Sequence, residues 1–109
     1  MRSPVAKQNL DFESDPKRAG EVAEMVKALG HPIRLGIISI LAKRDARVGE
    51  LCEILDARQA AVSQQLRILR MSGLVSTAKN GGVPLYTLAE PRLRDLLACL
   101  GGCERRRGK

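Results

Sequence analysis

Two short amphipathic segments separated by only two residues constrain the fold of this chain most strongly. In the first, from about Val48 to Leu55, apolar residues recur at i, i+3, i+4 and i+7, which predicts a helix with one buried face. The second, about 58–71, shows the same helical spacing. Asp56 and Ala57 leave room between them for a tight turn only. The pair therefore predicts a helix-turn-helix, in which the second helix packs through Val62, Leu66 and Leu69.

A β-hairpin is predicted directly after these helices. Strands at Leu74–Ala78 and Leu85–Leu88 are joined by Lys79-Asn80-Gly81-Gly82, and Pro84 restricts the second strand to a sheet edge. Asn-Gly favours a hairpin turn because both residues tolerate positive φ. A helix-turn-helix followed by a small hairpin is a winged helix-turn-helix, so we expect a mainly α fold of five helices plus a two-stranded wing.

The other three helices complete one domain. The first is expected to start near Lys17 and to stop at Gly30, with an apolar stripe that includes Met25 and Val26. The second, from about Pro32, is apolar on most sides and should be the most buried. The last starts near Pro91, and Gly101-Gly102 should end it. The predicted organisation is a flexible arm at 1–16, a winged helix-turn-helix domain at 17–101, and a basic tail at 102–109.

Composition excludes several function classes. The 109 residues contain no apolar run near the 18 or so needed to span a bilayer and no signal-peptide pattern, so we expect a cytoplasmic protein with free thiols and no membrane partner. Phe12 and Tyr86 are the only aromatic residues, which argues against stacking of single-stranded bases. With one histidine, no glycine-rich phosphate loop and no nucleophile motif, an enzyme is not expected.

Charge points to DNA. The formal net charge is +7, and no acidic residue occurs between Asp56 and Glu90, in the stretch that holds the second helix of the pair and the wing. Carboxylates there would repel phosphates. At 100° per residue, the face of this helix opposite its apolar stripe is polar and short-chained. The residues predicted to bind DNA are Arg58, Gln59, Ala60, Ser63, Gln64, Gln65, Arg67 and Arg70 on the helix, with Lys79 and Asn80 on the wing.

Residues 27–88 resemble the ArsR/SmtB family of ligand-responsive bacterial repressors. The similarity covers most of the chain. It implies a homodimer joined by the first and last helices, an inverted-repeat operator in double-stranded DNA, and repression that a ligand relieves. It also implies DNA contacts at Ser63, Gln64 and Gln65. The motifs that carry it are Lys27-Ala28-Leu29-Gly30-His31-Pro32-Ile33-Arg34-Leu35, Val48-Gly49-Glu50-Leu51-Cys52, Ala61-Val62-Ser63-Gln64-Gln65-Leu66, Ser72-Gly73-Leu74-Val75 and Leu85-Tyr86-Thr87-Leu88.

The sensing sites of that family match this chain only in part. Glu50-Leu51-Cys52 fits the arsenic-sensor motif, but Ile54 stands at its second thiol position. In the persulfide-sensing branch, Cys103 roughly matches one thiol, while Ser39 stands at the other. The zinc-type site on the last helix needs histidines. His31, the single histidine, is predicted to cap a helix or to pack at the helix junction instead.

Cys99 and Cys103, spaced i, i+4 beside a basic tail, are the predicted sensing thiols. Two thiolates suit soft ions such as arsenite, and neighbouring arginines lower a thiol pKa. Arsenite or another soft ion is thus expected as inducer, with no obligatory cofactor. Cys52 is predicted mainly to fill the core. The alternatives are a thiol redox or persulfide switch on the same residues and a winged-helix module that binds proteins.

Overall fold

The computed structural model describes residues 11–107, without the side chains of residue 80 and residues 102–107. Five helices and one antiparallel hairpin follow in chain order, which confirms the predicted winged helix-turn-helix. Most of the predicted arm (1–16) lies outside the described residues. The elements are α1 (Pro16–Ala28), α2 (Pro32–Leu41), α3 (Val48–Leu55), α4 (Gln59–Met71), β1 (Val75–Asn80), β2 (Val83–Leu88) and α5 (Arg92–Arg107).

Local signals fix where the first helices begin. The Asp15 carboxylate accepts the Arg18 N–H at 3.1 Å, and Pro16 occupies the first helical turn of α1. His31 is the N-cap of α2, where its Nδ1 accepts the Ile33 N–H at 3.2 Å. The predicted capping role of His31 is therefore confirmed.

Aliphatic side chains form the core, with α2 at its centre. Ile37, Ile38 and Leu41 of α2 are buried, as predicted for the most apolar helix, although Leu35 is exposed. The α4 residues Val62, Leu66 and Leu69 are also buried and so confirm the predicted packing stripe. This packing fixes which face of α4 points outward.

The hairpin turn differs from the predicted Asn-Gly pair. Residue 80 still pairs with Val83, so the two turn residues are Gly81 and Gly82, with φ of 75° and 87°. Positive φ at both central positions is typical of the type I′ turn, whose twist matches that of the strands. Ala46 and Tyr86 exchange hydrogen bonds of 3.1 and 2.8 Å, which attaches the hairpin to the segment before α3.

The last helix is longer than expected. Gly101-Gly102 was predicted to end it, but α5 continues through both glycines to Arg107. Glycine inside a helix costs about 1 kcal/mol relative to alanine, which weakens a helix without forbidding it. Cys99 and Cys103 consequently lie one turn apart on a continuous helix.

Within residues 11–107, no helix combines the length and the apolar character that a membrane crossing requires.

Candidate nucleic-acid interface

The outward face of α4 carries no acid and is polar except at its carboxyl end, where Met71 is exposed. Ser63, Gln64 and Arg67 are exposed on the face opposite the buried stripe, as the helical spacing predicted. Their side chains offer a hydroxyl, an amide and a guanidinium, which are the groups that recognise base edges in a major groove. This face is therefore suited chemically to direct readout of DNA.

The amino end of α4 is open to an anion. Arg58 is its N-cap and makes no side-chain cap bond, and the first turn contains no acidic residue. Gln59 and Ala60 are exposed at this end. Uncapped backbone N–H groups together with the helix dipole favour a phosphate here.

Gln65 does not lie on this surface. The residue is 9% exposed, and its Oε1 accepts a hydrogen bond of 2.9 Å from the Arg34 guanidinium of α2. The direct DNA contact predicted for Gln65 therefore has no support from its placement. Helical spacing puts Gln65 next to the apolar stripe, but its partner lies 31 residues earlier, so no local pattern revealed the pair.

The wing extends the basic surface, and Arg47 braces it. Lys79 is exposed on β1, and Arg70 is exposed near the carboxyl end of α4. The side chain predicted to bind DNA at residue 80 is outside the described residues. Arg47, which the sequence analysis missed, donates from its guanidinium to the Val83 carbonyl at 3.0 Å. That bond holds the wing tip against the amino end of α3.

Acids that flank this surface are engaged by arginines. The Glu50 carboxylate accepts the Arg47 N–H at 2.9 Å and the Arg44 guanidinium at 3.3 Å, and these bonds, the backbone one first, lower its pKa. Glu90 accepts from the side chain and the backbone N–H of Arg92, which likewise lowers its pKa. The negative charge of Glu50 and of Glu90 is thus partly offset by neighbouring arginines.

The thiols have different environments. Cys99 is exposed on α5, whereas Cys52 is half-buried and packs against the core. The Cys103 side chain is outside the described residues. Among the side chains that are described, no three His, Cys, Asp or Glu residues gather as a metal site would require. Cys99 is therefore the thiol whose described position leaves it accessible to a reagent.

Comparison with known proteins agrees with this architecture. A family profile described as bacterial regulatory protein, arsR family, matches residues 31–77. The biofilm growth-associated repressor of Agrobacterium fabrum is 44% identical over 92% of this chain and 86% of its own length. The solved transcriptional repressor BigR from Xylella fastidiosa is 38% identical, with a TM-score of 0.76 over 84% of this chain and 93% of its own.

A third relative, Mb0332 from Mycobacterium bovis, is described as a homodimeric winged helix-turn-helix DNA-binding domain. It is 26% identical, with a TM-score of 0.71 over 85% of this chain and 88% of its own. Sequence and fold thus lead to one assignment: this chain belongs to the ArsR family of bacterial regulatory proteins.

Proposed function

We propose that this protein is a homodimeric transcriptional repressor that binds an inverted-repeat operator through α4 and is released from it by chemistry at cysteine thiols. The observation that carries DNA binding is the exposed, acid-free outer face of α4 between an uncapped amino end and a basic wing. Two of the relatives are named as repressors, which supports repression rather than activation.

Side-chain chemistry divides the contacts into two groups. Residues of the α4 face are assigned to the major groove, where amides suit adenine edges and a small side chain permits close approach. Flanking cations, together with one neutral amide on the wing, are assigned to the DNA backbone. The base-facing group is Gln59, Ala60, Ser63, Gln64 and Arg67; the phosphate group is Arg58, Arg70, Lys79 and Asn80.

The dimer is assigned to α1 and α5. Val26 on α1 is 54% exposed and Leu100 on α5 is 57% exposed, although both belong to apolar helical stripes. A second subunit would remove them from water, and Mb0332 is described as homodimeric. Two α4 helices about one DNA turn apart would then read the two half-sites.

Release is assigned to Cys99 and Cys103, with arsenite as the leading inducer class. Residues 99 and 103 are i, i+4 in the sequence of α5, the proposed dimer helix, which supports a shared site. A soft metalloid bound there would favour a relative orientation of the two subunits in which the two α4 helices no longer fit the operator. The exposure of Cys99 equally favours oxidation or persulfide formation, which is the second candidate.

Salt dependence tests the DNA assignment. We propose that the protein acts in the cytoplasm, so it is kept reduced. A DNA duplex that it binds is first enriched from a random pool and then labelled with fluorescein. The three cations of the phosphate group would make six phosphate contacts per dimer, which predicts that affinity falls about 10³-fold between 50 and 200 mM salt. Gln64→Ala should lose about 1–3 kcal/mol of binding free energy on this duplex and little on random DNA. Lys79→Ala should weaken binding to both DNAs and reduce the dependence of affinity on salt concentration. A protein-binding module would enrich no duplex.

Parallel titrations test the thiols. Arsenite, a mild oxidant and a persulfide donor are each added to the complex of reduced protein and labelled duplex. Cys99→Ser and Cys103→Ser should abolish release, and Cys52→Ser, the control, should respond like wild type. A Cys103→Ser protein that still releases DNA normally would refute the site. Mass spectrometry of the oxidised sample separates a disulfide from an adduct.

A further inference from the structure

Arg34 joins three helices through one guanidinium. It lies in the first turn of α2, where its Nε donates to the Ala28 carbonyl at 3.1 Å and a terminal nitrogen donates to the Lys27 carbonyl at 3.3 Å. Its other terminal nitrogen donates to Oε1 of Gln65 on α4 at 2.9 Å. One rigid, planar fork therefore bonds the carboxyl end of α1 and the middle of α4 together.

Arg34 supplies hydrogen-bond donors to acceptors at both ends of this bridge. The last carbonyls of a helix have no partner within the helix, and the negative end of the dipole attracts a cation. Gln65 is the one polar or charged residue that the described part of the chain buries. Its amide oxygen would lose most of its solvation there without a donor. The bridge thus gives the buried Gln65 amide oxygen its donor and the Ala28 carbonyl a charged one, whereas the Lys27 carbonyl also accepts the Gly30 N–H at 3.1 Å.

Side chains do not fill the whole space between α1 and α4 at this point. A cleft of about 140 Å³ separates them, with Lys27 and Ala28 on one side and Ile68 and Leu69 on the other. Arg34 lies at the same cleft. The buried stripe of α4 already fixes which of its faces points outward. Beside this gap, the hydrogen bonds of Arg34 add a further restraint on the spacing and the fine rotation of the two helices.

We propose that Arg34 is a positioning residue that, through Gln65, sets the fine rotation of α4 relative to α1, within the limits left by core packing, and so aims the α4 face at DNA. This inference rests on the proposed function, because it assigns Arg34 to that same surface without any DNA contact of its own. It also gives Gln65 a role that its burial permits.

A small rotation would be enough to matter. Side chains reach about 5–6 Å from a helix axis, so a turn of about 10° moves their ends by about 1 Å. Gln64, adjacent to Gln65, would then leave the narrow range of about 2.7–3.2 Å in which a hydrogen bond to a base forms. Because α1 belongs to the proposed dimer surface, a change in the relative orientation of the two subunits would move α1. The same bridge would then move the α4 face with it.

The test compares Arg34→Lys, Gln65→Met and the double variant on the enriched duplex. Lysine keeps the charge but loses the fork, and methionine keeps the volume but loses the acceptor. We expect each single variant to weaken binding about tenfold, and the double variant to be no weaker than either, because all three break one bridge. Arg94→Lys is the matched control: Arg94 Nε also donates to a carbonyl at a helix end, that of Ala42, at 2.8 Å. It should bind like wild type.

Three readouts make the outcome decisive. All titrations are run well below the thermal midpoint of each variant, and the dimer is checked by light scattering. If Arg34→Lys lowers that midpoint and leaves affinity within twofold of wild type, Arg34 is merely structural and the proposal is wrong. If Gln65→Met weakens binding and Arg34→Lys does not, Gln65 touches DNA directly and the proposal is also wrong. If the wild-type protein enriches no duplex, the proposed function fails and this inference fails with it.

Discussion

The side chain of His31 caps the start of α2, the most buried helix. His31 has an extended backbone, and its Nδ1 satisfies the Ile33 N–H while Pro32 removes one donor from the first turn. We expect His31→Ala to destabilise the protein by about 1 kcal/mol, since an N-cap acceptor is lost. His31→Asn should recover most of this, because asparagine also caps. Urea unfolding of the three proteins measures the difference, and equal stability of the alanine and asparagine variants would argue against capping.

Comparison of His31 with Gln65 shows which residue roles a sequence reveals. The His31 bond spans two residues, so Pro32 and the following apolar helix were enough to predict it. Gln65 had the same chemistry as its exposed neighbour Gln64, and only the position of Arg34 in space separates a buried acceptor from a base-reading amide. Local bonds were predictable, whereas those that depend on how helices meet were not.

At the level of elements, Glu50 holds the start of α3. Its carboxylate accepts the Arg47 N–H and the Arg44 guanidinium, and its pKa is lowered from the ordinary 4.5, first by the backbone bond. The folded protein thus binds this proton less readily than the unfolded chain. The stabilisation is fully present above pH 4.5 and is lost as the pH falls through the lowered folded pKa.

Glu50→Gln isolates that charge, because its amide oxygen can still accept the Arg47 N–H. We expect the wild-type protein to be the more stable of the two at neutral pH, and the difference to shrink as the pH falls below the ordinary carboxyl pKa. Urea unfolding of both proteins from about pH 7 to about pH 3 follows it. A difference that stays constant over this range would mean that the carboxylate charge does not stabilise α3.

Apolar periodicity predicted where the helices lie, but glycine residues did not predict correctly where elements turn or end. The helices of the DNA-binding pair were predicted to within a residue or so because their apolar stripes face one core. The hairpin was predicted too, but its turn moved from residues 80–81 to Gly81-Gly82 because strand pairing extends to residue 80. In α5, Gly101-Gly102 was expected to break a helix that in fact continues. Glycine permits a turn or an end without requiring one.

For the whole molecule, the proposed DNA surface and the proposed dimer surface lie on different elements. Four cations and no acid lie between residues 57 and 89, which comprise α4 and the wing. Val26 and Leu100, by contrast, are exposed on α1 and α5. A protein that used the first surface for DNA and the second for its own copy would need both for high affinity, since a dimer engages two half-sites at once.

The dimer surface can be tested against a matched position. Val26 is 54% exposed and Ile54, on α3, is 52% exposed, so aspartate alters both to the same extent in the monomer. If α1 forms the interface, Val26→Asp buries an unpaired carboxylate at a cost of several kcal/mol and dissociates the dimer at micromolar concentration, while Ile54→Asp stays dimeric. Light scattering gives the mass, and the enriched duplex gives the affinity, which should fall with dissociation. Dimeric mass for both variants would place the interface elsewhere; monomeric mass for both would indicate that the charge, rather than its position, separates the subunits.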